Sequence, residues 1–136
     1  MKLDLYFIAN PALGTIKIGV TQNLAARLRS LEHACGVPLE LLKLVAGGGH
    51  HEFDLHEALA PSRLIGEWFT PTPDLLAIVH DEESIDAFIK RSAVAVMERR
   101  VAAGTAKAAA LAQREADRAE MKRTWRRLAK KRRHVA

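Results

Sequence analysis

The sequence predicts a small α/β fold: a short, mainly antiparallel sheet flanked by helices in the order β-β-α-β-α-α, followed by a long basic helical extension. Three observations carry that expectation. Two runs rich in strand formers, residues 3–9 and 15–20, flank Asn10-Pro-Ala-Leu-Gly14, which is turn chemistry. Apolar residues at helical spacing then alternate with one further strand-like run. Composition shifts at Asp81: residues 1–80 hold 6 Lys and Arg against 8 Asp and Glu, residues 81–136 hold 15 against 8. The expected organisation is a domain over 1–80 and a basic helical extension over 81–136, whose composition also allows partial disorder.

The first two runs form a hairpin. Thr21 or Asn23 caps a helix over residues 23–34, with Leu24, Leu28 and Leu31 as its apolar stripe and Arg27 beside them, able to point back over the hairpin. Pro38 opens a run read as a central strand, ended by Gly47-Gly-Gly49. A second helix covers about residues 50–60 and stops at Pro61. Residues 62–69 are expected to be a loop ending in Gly66-Glu-Trp-Phe69, with Trp68 and Phe69 in the core. Thr72-Pro-Asp74 starts a third helix. Asp81-Glu-Glu-Ser84 begins another, with acids at its positive end. Ile85, Phe88, Ile89 and Val96 could still touch the domain. Gly104 is a candidate break, and residues 105–134 favour a long solvated helix.

Several function classes are excluded. No run of 18 apolar residues exists, so no transmembrane helix and no membrane partner is expected. The N-terminus reads as a strand rather than a signal peptide. One cysteine, Cys35, permits neither an intramolecular disulfide nor a cysteine-based metal site. A cytoplasmic location fits, no small-molecule cofactor is expected, and the oligomeric state stays open. His51 and His56 are five residues apart, about 140° out of register on a helix, which rules out a zinc-protease pair. A coiled-coil adaptor lacks a sustained apolar heptad.

The net charge of +5 comes from the tail, where Lys122, Arg123, Arg126, Arg127, Lys130, Lys131, Arg132 and Arg133 have no acid among them. Such a run fits phosphate-backbone contact that is independent of sequence and weakened by salt. Trp125 lies within it as a candidate anchor on a partner.

Asp4-Leu-Tyr-Phe-Ile8, Ile16-Lys-Ile-Gly19 and Asn23-Leu-Ala-Ala-Arg27 follow one another at telling spacings, joined by Glu52-Phe-Asp-Leu-His56 and Gly66-Glu-Trp-Phe69. Residues 3–79 thereby resemble the GIY-YIG nuclease superfamily, most of all its phage-associated branch of DNA-binding domains. The resemblance implies hydrolysis of a DNA phosphodiester with one divalent metal, Mg²⁺ or Mn²⁺. Tyr6 then helps activate water, Arg27 stabilises phosphate charge and Glu52 holds the metal. A guanidinium offers a planar fork of donors and keeps its proton, and a hard cation that retains waters needs few carboxylates.

Two positions depart from the family pattern. Asp4 stands where the first motif usually has glycine, and Lys17 where the second has its tyrosine. Lys17 is read as a phosphate contact or a proton shuttle. The asparagine typical of the classical nucleases has no counterpart. His56, on the same helix face as Glu52, is a second metal ligand, a phosphate contact or a packed histidine; Glu67 approaches the site or caps a turn. The rival reading is a DNA-binding module of the same fold that does not cut.

Overall fold

The structure, a computed structural model, describes residues 2–135. Strands β1 (Asp4–Asn10) and β2 (Thr15–Thr21) form the expected hairpin, pairing Asp4 with Thr21 through Asn10 with Thr15. Helix α1 (Leu24–Cys35) follows, and the Asn23 side chain accepts a hydrogen bond from the Ala26 amide, so Asn23 is the N-cap. Leu24, Leu28 and Leu31 are half-buried.

Strand β3 (Glu40–Val45) pairs with β1 rather than lying centrally. The five-stranded sheet has the order β3-β1-β2-β5-β4, so β3 is an edge strand and the expectation of a central one is corrected. Leu41 and Leu44 remain well exposed. Apolar residues on both sides of a strand mimic a central strand even where one side is left open.

After β3 the chain makes a 3-10 turn (Gly48–His51) into helix α2 (Glu52–Ala58). The Gly47 amide donates to the Asp4 carboxylate at 2.8 Å, and Gly47 itself has φ +65°, which a side chain would disfavour. Asp4 is therefore a structural residue that pins the start of β1 to this turn.

The segment expected to be a loop is instead a second hairpin, β4 (Arg63–Ile65) and β5 (Trp68–Phe69), closed by the two residues Gly66 and Glu67. Gly66 takes φ +54°, as such a tight connection requires. β5 then pairs with β2, setting Trp68 opposite Lys17. Helix α3 (Pro73–Val79) is capped by the Thr72 hydroxyl. Helix α4 (Ile85–Val135) is one uninterrupted helix, and Gly104 makes no break in it.

The core lies on one sheet face. Leu5 and Phe7 of β1, Ile16 and Ile18 of β2 and Phe69 of β5 meet Leu55, Leu59, Leu75, Ile78, Val79, Ile85 and Phe88. Phe88 is buried and Ile89 packs against the cluster, so the opening turns of α4 complete the core. Arg91 ties this end of α4 to α3, donating to Glu83 and Asp74 at 2.6 and 2.7 Å.

The chain divides into two compact units, Met1–Val96 and Met97–Ala136. In the second, every side chain from Val101 to Arg133 is exposed. None of the described helices is long and apolar enough to cross a membrane.

Candidate active site

Strand alternation sends Tyr6 and Ile8 to the sheet face opposite the core. Tyr6 sits across from Gly19 in the β1–β2 ladder, and its ring lies directly over that glycine. A Cβ added at Gly19 would collide with the Tyr6 hydroxyl oxygen and stand 2.6 Å from the adjacent ring carbon. Tyr6 is only 1% exposed, so its ring has nowhere to swing. Gly19 is what lets the phenol reach across β2. Gly19→Ala is expected to cost about 1–3 kcal/mol of stability through overpacking and to displace the hydroxyl; urea unfolding and tyrosine titration measure the two effects.

Three charged groups surround that phenol. Burial raises the Tyr6 pKa above its ordinary value, Arg27 pulls it down, and Glu67 and Glu52 push it up. Tyr6, Arg27, Glu52 and Glu67, contributed by β1, α1, α2 and the β4–β5 turn, thus share one electrostatic neighbourhood. Arg27 is exposed and makes no salt bridge among the described residues. It borders a groove of about 530 Å³ lined also by Thr21, Gln22, Asn23 and Ser30.

Lys17 neighbours this group, with its ammonium 3.0 Å from the Glu67 carboxylate and 5.6 Å from the centre of the Trp68 ring. Trp68 is half-buried on that face, whereas Phe69, one residue on, is fully buried in the core. The expectation that both aromatics are core holds for Phe69 alone, because consecutive strand residues point to opposite faces.

The two carboxyls at the centre are close enough to shift each other, and their pKa values move in opposite directions. Burial raises Glu52, and the neighbouring Glu67 charge raises it further. Burial also acts to raise Glu67, but the hydrogen bond and charge of Lys17 outweigh it and hold Glu67 below the usual carboxylate range. The placement of Glu67 follows from its backbone: the Ile18 amide donates to the Glu67 carbonyl at 3.1 Å, fixing the hairpin turn against β2.

No protein-family model, curated protein or solved structure matches this chain.

His56 has both ring nitrogens engaged. Arg63 donates to Nδ1 at 2.8 Å, and Nε2 lies 2.9 Å from the Ile18 carbonyl oxygen. A guanidinium only donates and a carbonyl only accepts, so the ring is the Nε2–H tautomer. His56 therefore ties α2 to β2 and orients the helix that carries Glu52, leaving no free nitrogen for a metal. Arg63, which the sequence alone does not single out, also stacks over Phe69 at 5.5 Å. Its seven-residue separation from His56 across a helix end gives no periodic signal. His50 and His51 lie in the 3-10 turn; His50 faces the Gly47 carbonyl and His51 pairs with Asp86 at 3.8 Å.

A divalent cation can be tested against this donor set. Among the described residues no group of three or more His, Cys, Asp and Glu converges. What is present is a pair of touching carboxyls with a phenol nearby, all hard oxygen donors. That set fits a cation such as Mg²⁺, which keeps most of its waters and takes one or two carboxylates. It does not fit Zn²⁺, which prefers nitrogen and sulfur in a closed tetrahedron. The tail cations from Lys122 to Arg133 belong to the second compact unit, where all eight are exposed.

Proposed function

We propose that the chain is a metal-dependent DNA endonuclease of the GIY-YIG type, hydrolysing a phosphodiester and using its basic arm to hold DNA. The observation that carries this reading is the meeting of a buried phenol, an unpaired guanidinium and a carboxyl pair drawn from four separate elements. A phosphodiester under attack gains negative charge on its non-bridging oxygens. Arg27, exposed at the rim, donates to those oxygens. Glu52 and Glu67 would hold a divalent cation, which would supply charge neutralisation and a more acidic bound water. Tyr6 directs its hydroxyl toward the attacking water, and Gly19 keeps it there. Lys17 orients Glu67 and neutralises part of the carboxyl pair.

The second reading is a DNA-binding module without cleavage. The Lys17–Glu67 ion pair favours it, because an ammonium committed to a carboxylate is withheld from phosphate. Nicking of supercoiled plasmid with Mg²⁺ or Mn²⁺ separates the two. The nuclease reading expects nicked product that disappears with EDTA and falls on the order of 10²–10³-fold in Arg27→Ala. Retention of plasmid in a gel-shift assay with no metal-dependent nicking assigns the chain to the module.

A further inference from the structure

The last turns of α4 are divided lengthwise into two faces. At about 100° per residue, Lys122, Arg123, Arg126, Arg127, Lys130, Lys131 and Arg133 fall within an arc of about 180°. Met121, Trp125 and Leu128 fall within about 60° on the opposite side. These three side chains are 62%, 65% and 52% exposed, and nothing described in the chain covers them. Two shallow grooves run along this stripe. One is lined by Asp117, Met121, Trp125 and Leu128, the other by Trp125, Leu128, Ala129 and Arg132.

The stripe has a direction. Along the helix it runs Asp117, Met121, Trp125, Leu128, Arg132: an acid, three apolar residues and a base, at steps of four, four, three and four. Those steps keep all five on one side of the helix. Turned end for end, a second copy presents the same series reversed. With the two-fold axis between Thr124 and Trp125, Met121 faces Leu128 of the other copy and Asp117 faces its Arg132. The reverse pairs follow by symmetry. Parallel alignment instead sets Arg132 against Arg132 and Asp117 against Asp117, with no ion pair.

We propose that this face is a self-association surface, on which α4 pairs antiparallel with the α4 of a second copy of the chain. The seven basic residues of the other face stay in solvent, so pairing leaves polyanion contact open on both copies. Three apolar side chains supply only a fraction of the roughly 800 Å² per partner that a stable interface buries. The pairing is therefore weak and concentration-dependent, and its test must trap it.

The test uses full-length chain carrying Cys35→Ser, which removes the native thiol. Met121→Cys and Leu128→Cys are made separately in that background, mixed in equal amounts and oxidised, and the disulfide dimers are resolved by mass. The antiparallel arrangement expects the mixed Met121→Cys/Leu128→Cys dimer in excess of random collision. Arg132→Asp, added to both chains, is expected to lower its yield on the order of three- to tenfold, since two ion pairs are lost per dimer. Asp117→Arg on top of that restores the yield. All these positions are exposed, so the variants fold. Absence of disulfide, a mixed fraction no larger than random collision gives, or no rescue by the double charge swap overturns the pairing. If the thiol at position 128 is shielded from alkylation only by anionic phospholipid vesicles, the stripe belongs to a lipid surface and the pairing is likewise overturned.

Discussion

Glu52→Gln is expected to lower metal-dependent nicking on the order of 10²–10³-fold while raising the thermal stability of the metal-free protein at neutral pH. The two effects share one cause. Burial and the nearby Glu67 carboxylate raise the folded-state pKa of Glu52. A carboxyl raised in the fold contributes stability that is complete below the ordinary carboxylate range and is lost as pH climbs through the raised value. Ionised Glu52 therefore works against the fold at neutral pH. Glutamine keeps the hydrogen bond to Glu67 that the protonated acid would make, without the charge. The melting temperature of Glu52→Gln should exceed that of the parent at neutral pH, and the gap should close on acidification below the ordinary carboxylate range. Glu67 has the opposite sign: Lys17 holds it low, so its contribution is present at neutral pH and fades as pH falls through the lowered value. A Gln variant that nicks like the parent removes Glu52 from the proposed site. A variant that is less stable at neutral pH contradicts the charge crowding.

The second large effect concerns the arm. Replacing Lys122, Arg126, Lys130 and Arg133 together by glutamine removes four cations from an arc of about 80°. Each phosphate contact adds about 0.9 to the slope of log affinity against log salt, so the slope should fall by about 3–4. Near physiological salt that amounts to a loss on the order of 10³-fold in DNA affinity, shared equally by unrelated sequences. Fluorescence anisotropy at several salt concentrations measures both. A quadruple variant with unchanged slope shows that this face does not lie on phosphate. The unfolding midpoint should hardly move, because these residues are exposed and touch no core.

Tyr6, Lys17, Arg27 and Glu52 stand out in the sequence through the resemblance of their motifs; strand alternation and the Asn23 cap account for where Tyr6 and Arg27 lie, and Lys17 pairs with Glu67 beside them. Asn23 as the N-cap and the turn at Pro11 to Gly14 follow from local chemistry that reads directly. The second hairpin escapes notice because strands of three and two residues are too short to show alternation. Its signal is Ile65-Gly66-Glu67-Trp68, a two-residue connection opening on glycine between apolar residues. β3 reads as central because apolar residues on both faces do not reveal which neighbours exist. Arg63 and its hold on His56 are invisible in the sequence, since that contact depends on where the second hairpin folds back. The place of Asp4 at the head of β1 is explained only by its hydrogen bond to the Gly47 amide.

Glu67 rides on the smallest and least protected part of the sheet. β4 is fully exposed along its length, with Leu64 and Ile65 open to water, while Phe69 of β5 anchors the other strand in the core. Local fraying of the β4 edge and its turn costs a small fraction of the global unfolding free energy. Each opening would carry one carboxylate away from Glu52 and release Lys17, while Tyr6 and Arg27 stay seated on the rigid half of the domain. The centre can thus come apart and reassemble many times within the life of a single folded molecule.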